Sequence, residues 1–492
     1  MKNYFLIVLA LLLLTSCKQP GKTDIDEVKY LDNYNYLFED IDMSKSLADA
    51  SGQTYPWSGV DSRNVSLMDQ AVKDIEQYRK GNFSIKLLDE KGIPVDAHVE
   101  LKHVKHEFKF GLKMIDSQDE DSLFERSASS IKKIFNAANI CNYHSTWWKS
   151  KDKPYGNWDN YNKKLEWCEK LELDPRFHII QYIHMGKPVW WKEIDNEEEL
   201  WDFYEKRAAD VAKHYSEGFF EYDVMNEMIH WPIWFEKYDG AKHNMDNYFV
   251  FDWMKNPENG AKVVEQARKH FPSQKLVVLE TGVWNDYPNN KVSQDIYAYY
   301  KRLVELNAPF DVIGYQGRYN PEAGNQLKTG NDEFGSRMFY MESINSGFEL
   351  FSGLGKEISI TEFAPPSRTI KNKIGSLEEL GADRKELALW VANFHILAFS
   401  KPYLNQITWW PYLNKDSGVI REDGSLSETG QVLDVLINEK WHTHINKVTK
   451  NGCIDFRGFY GEYLITAEGY AEQIIHLFSN DSTAQTVTLK KL

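Results

Sequence analysis

Two glutamates each follow a short apolar run, and a pair of carboxyl groups placed this way is suited to glycosidic bond cleavage. Glu227 ends the run YDVMNE at residues 222–227, and Glu362 lies in ISITEF at residues 358–363. In a retaining hydrolase one carboxylate attacks the anomeric carbon, while the other protonates the leaving oxygen and later activates water. A lone glutamate at a strand end is usually solvated or salt-bridged. The pair predicts Glu227 as general acid/base and Glu362 as nucleophile.

Asn226, directly before Glu227, supports the same chemistry. A carboxamide at this position can donate to the 2-hydroxyl of the sugar, a contact that strengthens toward the transition state. We therefore expect Asn226 to bind substrate.

Short β-rich runs alternate with helical segments between residues 106 and 440 and predict an α/β fold, a (β/α)₈ TIM barrel. The predicted strands are 107–111, 140–145, 177–182, 221–224, 275–279, 312–315, 357–361 and 406–409. Strands 4 and 7 then place the two glutamates on opposite sides of the barrel mouth. An open doubly wound sheet is the alternative, but no glycine-rich phosphate loop follows the first strand.

The flanks of the barrel show the apolar–polar alternation of half-buried strands. Residues 76–105 and 441–492 are predicted to pair into one small β-module. Residues 18–75 are polar and mixed, and are expected to form a tether and an irregular N-terminal wrap.

The first 17 residues have the layout of a bacterial lipoprotein signal. An apolar run at residues 4–14, too short to span a bilayer, leads into Leu14-Thr15-Ser16-Cys17. This pattern predicts cleavage before Cys17, lipidation of Cys17, and anchoring in the cell envelope, on the periplasmic or surface face of the outer membrane. An ordinary secretory peptide with a chance cysteine is the alternative.

The formal charge of −15 argues against nucleic acid or an anionic lipid surface as the partner. A neutral glycan fits better, and 16 tryptophans offer rings on which sugars could stack. No cofactor and no metal are expected, because His144, His178 and His184 match no common ligand spacing.

These motifs resemble glycoside hydrolase family 10, the endo-β-1,4-xylanase family of retaining (β/α)₈ enzymes. YDVMNE is similar to the family's W-D-V-V-N-E and ISITEF to its I-T-E-L. Further similar segments are FKFG at 108–111, RFHIIQY at 176–182, DVIGYQ at 311–316 and ITWW at 407–410. The resemblance implies substrate contacts from His178, Gln316, Trp409, Asn142, Tyr182 and Trp148.

The sequence also departs from the family pattern. The second strand, normally E-N-x-x-K-W, reads CNYHSTWW at residues 141–148, so the glycone-side Glu and Lys are missing. Arg318 stands where the family has a histidine that contacts the nucleophile, and Tyr182 replaces a tryptophan. Arg318 could hold Glu362 ionised or bind an acidic sugar. Specificity for undecorated xylan therefore stays open.

The sequence as a whole predicts a retaining glycoside hydrolase of a β-linked plant cell-wall polysaccharide, xylan or a decorated xylan. Two alternatives remain: a retaining hydrolase of a different β-glycan, and a catalytically inactive glycan-binding surface lipoprotein. The presence of both carboxylates with Asn226 favours an enzyme, because a binding protein has no physical need for the pair.

Overall fold

Parallel strands form a closed barrel in the computed structural model. The structure describes residues 28–34, 46–48, 54–56, 58–60, 62–114, 120–141, 158–182, 193–229, 248–281, 291–319, 340–365, 384–410 and 418–492. Barrel strands 1 to 8 are Lys109–Lys113, Ala137–Cys141, Asp174–His178 continued by Gln181–Tyr182, Tyr222–Asn226, Leu276–Glu280, Val312–Tyr315, Glu357–Phe363 and Leu404–Trp409. Each pairs with the next, and strand 8 closes on strand 1 with Trp409 opposite Leu112. The predicted (β/α)₈ barrel is confirmed.

The predicted strand positions differ from the observed ones mainly at strand 2. This strand begins at Ala137 rather than Ile140 and its described part ends at Cys141. Alanine has weak strand propensity, so residues 137 and 138 carry no local signal for a strand. They belong to the strand because all five of its residues are buried between the barrel interior and the outer helices.

Helices cover the outside of the barrel. Their bounds are Glu120–Ile134, Asp159–Leu171, Glu197–Tyr215, Tyr248–Met254, Pro257–His270, Lys291–Glu305, Met341–Ser352, Arg384–Ser400 and Glu428–Val435, the last continued by a π-helical turn at Leu436–Lys440. The helix Glu197–Tyr215 starts where the side chain of Asn196 accepts a hydrogen bond from the Glu199 N–H at 2.9 Å. Among the described residues, no helix is long and apolar enough to cross a bilayer.

The N-terminal wrap covers the outer surface of the helix Arg384–Ser400, which is therefore buried on all sides. Tyr30 donates through its hydroxyl to the Asn393 side chain, and Asn393 donates to the Ser58 carbonyl at 2.9 Å. The wrap is less irregular than predicted. Val65–Tyr78 is a helix, because Met68, Ala71, Val72 and Ile75 form an apolar stripe at helical spacing.

Strands from both flanks of the chain pair into a small β-sandwich, as predicted. One sheet contains His444–Val448, His98–His106, Gly461–Ala467 and Gln473–Leu477; the other contains Cys453–Phe459, Lys80–Leu88 and Ala484–Thr488. Phe83 pairs with Phe456 in one sheet, and Leu101 with Ile465 in the other. Their side chains share a buried core separate from that of the barrel.

Two histidines are enclosed in the barrel's outer layers, and neither is paired with a carboxylate of the described residues. Burial lowers the pKa of His106 from 6.5 to about 3 and that of His395 from 6.5 to about 4. His106 contacts the Ile437 carbonyl at 3.4 Å where the module meets the barrel, and His395 contacts the Val391 carbonyl at 2.8 Å within its helix. Both rings are neutral in the folded protein at pH 7 and protonate more readily once the chain unfolds.

We expect stability to fall as the pH drops below about 6.5, toward the folded pKa values of 3 to 4. Above the unfolded pKa both rings are neutral in the folded and the unfolded chain, and the full free energy of unfolding is present. Between the unfolded and the folded pKa values each histidine lowers that free energy by about 1.4 kcal/mol per pH unit, because only the unfolded chain binds the proton. Thermal midpoints between pH 7 and pH 4 measure this slope. His395→Gln should flatten the slope relative to the unmodified protein, and an unchanged slope would contradict the assignment.

Candidate active site

Glu227 stands directly after strand 4 and both of its carboxyl oxygens accept hydrogen bonds. The Tyr182 hydroxyl donates to Oε2 at 2.6 Å, and the Gln316 amide donates to Oε1 at 2.6 Å. The backbone of Glu227 has φ 54°, a left-handed conformation that costs energy for a residue with a side chain. The surrounding contacts therefore hold this carboxyl group in one place.

Glu362 lies near the carboxyl end of strand 7, and its side chain is only 1% exposed. The Arg318 guanidinium donates to Oε2. Oε1 has no hydrogen-bond partner within the part of the chain that the structure describes. One oxygen is thus held by a cation, while the other keeps its lone pairs for a different atom.

Arg318 is the cation that pairs with the nucleophile candidate. Burial alone would lower its pKa, but the negative charges of Glu362 and Glu227 outweigh that effect and raise it, so the guanidinium stays charged. Gly317 precedes it with φ +71°, and a Cβ there would lie 2.7 Å from Ile360 Cγ2. A glycine is needed for the turn that brings Arg318 over strand 7. Two roles were considered for Arg318, holding Glu362 ionised and binding an acidic sugar. Its contact with Glu362 matches the role of holding that carboxylate ionised.

Gln316 connects the two carboxylates. Its backbone carbonyl accepts from the Glu362 N–H at 2.8 Å, and its side-chain amide donates to Glu227 and, at 3.3 Å, to Oδ1 of the Asn226 side chain. The Asn226 amide nitrogen is thereby left to donate elsewhere. The structure brings together Glu227, Glu362, Asn226, Gln316, Tyr182 and Arg318.

A buried charge network orients His178. Its Nδ1 lies 2.7 Å from Asp223 Oδ2, and Arg176 donates to the same carboxylate. Arg176 also donates to Glu221 at 3.1 Å, and all these charged side chains are buried. Because Asp223 occupies one ring nitrogen of His178, only Nε2 is available to a ligand.

Replacing Arg176 with methionine should destabilise the protein by about 3–5 kcal/mol, because the buried carboxylates Asp223 and Glu221 would lose the cation that balances them. Thermal unfolding measures the loss. Lys132→Met is the matched control, since Lys132 pairs with Glu172 at the surface, where an ion pair is worth about 0–1 kcal/mol. Equal midpoints for the two variants would contradict a structural role for the network.

Trp409 does not have the exposure that sugar stacking requires. Its side chain is 1% exposed and packs against Phe363 at a ring separation of 4.8 Å and against His395 at 6.0 Å. The predicted stacking role of Trp409 is therefore wrong. The half-buried Trp410 lies next to the site instead, with its ring 5.7 Å from that of His178. Strand alternation explains the difference, because consecutive residues face opposite sides of a strand.

The predicted contacts Asn142 and Trp148, and the predicted lipidation site Cys17, lie outside the described residues. Sequence reasoning assigned no role to Asp223, Arg176 or Glu280. Glu280 ends strand 5 and accepts a hydrogen bond from the Ile229 N–H at 2.5 Å, which positions the segment after Glu227. The sequence could have indicated Glu280 as a site residue, because it follows an apolar run as Glu227 and Glu362 do. Among the described residues, no group of three or more His, Cys, Asp or Glu could hold a metal ion.

Comparison with known proteins gives the family. The family model described as Glycosyl hydrolase family 10 matches residues 100–428, more than half of the chain. The chain belongs to glycosyl hydrolase family 10. The matched region of this family 10 protein spans all eight barrel strands, from within the module strand His98–His106 to the first residue of the helix Glu428–Val435.

Individual relatives of this family 10 protein are distant. "Anti-sigma-I factor RsgI6" of Acetivibrio thermocellus is 24% identical over 87% of this chain and 50% of its own length. "Endo-1,4-beta-xylanase 2" of Arabidopsis thaliana is 21% identical over 66% of this chain and 27% of its own length. The chain thus spans half or less of these curated relatives. The crystal structure of xylanase 10B from Thermotoga petrophila RKU-1 in complex with xylobiose superposes with a TM-score of 0.50 and 19% identity, covering 68% of this chain and 95% of the other, which shows the shared fold.

Proposed function

We propose that this protein is a retaining glycoside hydrolase that cleaves the β-1,4-linked backbone of xylan or a decorated xylan. The observation that carries the proposal is the unequal treatment of the two carboxylates. Glu362 is buried and its Oε2 receives the Arg318 guanidinium, whereas the neutral groups Tyr182 and Gln316 each donate a hydrogen bond to one oxygen of Glu227. A cation favours an ionised nucleophile, and neutral partners tolerate a group that gains and loses a proton. The xylanase name of the Arabidopsis thaliana relative supports the substrate.

In the first step Glu362 attacks the anomeric carbon through Oε1, the oxygen without a partner among the described residues. The bond from the anomeric carbon to the leaving oxygen breaks, and Glu227 transfers its proton to that oxygen. The Gln316 amide can only donate, so Oε1 of Glu227 accepts and the proton is carried on Oε2. The Tyr182 hydroxyl beside Oε2 can accept as well as donate, and so tolerates both states of the carboxyl group.

In the second step Glu227 acts as a base. It takes a proton from water as the water oxygen attacks the anomeric carbon, and the ester bond to Glu362 breaks. Tyr182 and Gln316 both donate to the ionised Glu227 until this moment. Arg318 then again neutralises the released Glu362 carboxylate. Asn226 donates to the 2-hydroxyl, and His178 offers Nε2 to the same sugar.

The chain from residue 18 onward, assayed on xylan, arabinoxylan, glucuronoxylan and mixed-linkage β-glucan, tests the proposal, with Glu362→Ala as control. Release of xylo-oligosaccharides by the unmodified protein and not by the variant is the expected result. Cleavage of the β-glucan alone would replace the substrate and keep the mechanism. Binding of a glycan without any cleavage would favour the glycan-binding alternative.

We also propose that Cys17 carries the lipid that holds the protein at the cell envelope. The support is the sequence pattern at residues 4–17. Radiolabelled palmitate should be incorporated by the full-length chain in a bacterial host and not by Cys17→Ala. Equal labelling of the two would exclude this site.

A further inference from the structure

Two cations converge on the indole ring of Trp410 beside the nucleophile. Lys113 Nζ lies 4.2 Å and Arg318 Cζ 5.1 Å from the ring centroid. Lys113 ends strand 1, which pairs with strand 8, so the closed barrel brings the residue after strand 8 next to it. Lys113 and Trp410 are both half-buried. The site therefore presents positive charge on an aromatic surface at the barrel mouth.

The two cations differ in how their charges are balanced. Arg318 is paired with Glu362, and below the site Arg176 is paired with Asp223. Lys113 has no carboxylate within ion-pair distance in the described part of the chain, and its ammonium group lies over the Trp410 ring. A contact between a cation and a ring contributes about 0.5–1 kcal/mol at such a site, less than an ion pair or a charged hydrogen bond supplies in a partly enclosed cleft.

This positive charge contrasts with the molecule as a whole, whose formal charge is −15. A lysine close to Arg318 is raised in energy by repulsion between like charges, and an arriving anion would relieve that repulsion. The neutral glycan expected from net charge alone gives no reason for the second cation. Because Arg318 is already paired with Glu362, the charge of Lys113 is the one that favours a negatively charged group on the substrate.

We propose that Lys113 is a specificity-determining residue that binds a carboxylate carried by the glycan, so that the preferred substrate is a xylan with uronic acid side chains. The inference rests on the proposed function, because it places the acidic sugar in the cleft of Glu227 and Glu362. The ammonium group of Lys113 can donate three hydrogen bonds to a carboxylate, while its stem stays against Trp410.

The test uses a matched pair of substrates: uronic-acid-bearing xylo-oligosaccharides, and the same oligosaccharides after chemical reduction of the carboxyl group to an alcohol. The unmodified protein should show a kcat/KM about ten-fold or more higher on the acidic form, and the preference should shrink as salt is added. Lys113→Gln should remove most of the preference. Lys102→Gln is the control, since Lys102 is an exposed lysine of the β-module and its loss changes the net charge equally.

Each outcome decides between the two proposals. An equal loss on both substrates in Lys113→Gln would mean that Lys113 supports Trp410 or the carboxylates, and would overturn the inference. The absence of any preference in the unmodified protein would also overturn it, while the hydrolase proposal would stand. If the unmodified protein cleaves neither form, the proposed function fails, and the inference fails with it.

Discussion

Replacing Glu362 with glycine should reduce hydrolysis by at least about 10⁴-fold, because the proposed covalent intermediate forms on the Glu362 carboxylate. In the structure Glu362 is 1% exposed, receives the Arg318 guanidinium on Oε2, and keeps Oε1 unoccupied within the described residues. The glycine leaves a space beside a cation, which suits a small anion. Azide should therefore restore turnover of an aryl β-xyloside by attacking the anomeric carbon from the face that the carboxylate has left.

The product of that rescue is the decisive measurement. Azide attack from the nucleophile's side should give the α-glycosyl azide, with the anomeric configuration inverted, as NMR can show. Glu357→Gln is the matched control. Glu357 begins the same strand at the opposite end of the barrel, and pairs with Lys275 at 2.6 Å near the surface. Glu357→Gln should keep full activity. A β-azide from the Glu362 variant would assign the nucleophile to another residue.

Replacing Glu227 with alanine should reduce hydrolysis of xylan by about 10²–10⁴-fold, the usual contribution of general acid–base catalysis. The size of the loss should depend on the leaving group. A dinitrophenolate departs without a proton, so formation of the intermediate on a dinitrophenyl β-xyloside should be nearly preserved. Hydrolysis of that intermediate still needs the base, and a burst of dinitrophenol followed by slow turnover is the expected time course.

The azide product also distinguishes the acid/base role of Glu227 from the nucleophile role of Glu362. With Glu227→Ala it should react with the intermediate on Glu362 and give the β-glycosyl azide, the opposite anomer to that from the nucleophile variant. Glu217→Ala is a suitable control, because Glu217 is exposed on the turn before the same strand, at the far end from the mouth. A loss independent of the leaving group would show that Glu227 supports folding or substrate binding rather than proton transfer.

The sequence was sufficient for the barrel because the signals of a parallel strand are local. Strand 6 was predicted at its observed bounds of 312–315, since a continuous apolar run is what a strand buried on both faces requires. The same local signals placed Glu227 directly after strand 4, as observed, whereas Glu362, expected just after strand 7, lies within the carboxyl end of that strand. Strand 2 shows the limit, because the burial of Ala137 and Ala138 comes from their neighbours rather than from their own strand propensity.

Contacts between segments that are distant in the chain could not be predicted from these local sequence signals. Lys113 and Trp410 are nearly 300 positions apart in sequence, and only closure of the barrel between strands 8 and 1 places them 4.2 Å apart. The role of Asp223 was missed for a related reason. Its carboxylate is balanced by Arg176 from the neighbouring strand, and nothing in the local sequence specifies that partner.

The sequence by itself determined the fold and the glycoside hydrolase class and predicted the two carboxylates, because residue type and apolar periodicity are properties of short segments. The tertiary structure decided which oxygen of each carboxylate is held, that Arg318 contacts Glu362, and that Trp410 rather than Trp409 faces the cleft. Those features depend on side-chain direction and on barrel closure. Both are set by packing between elements far apart in the chain.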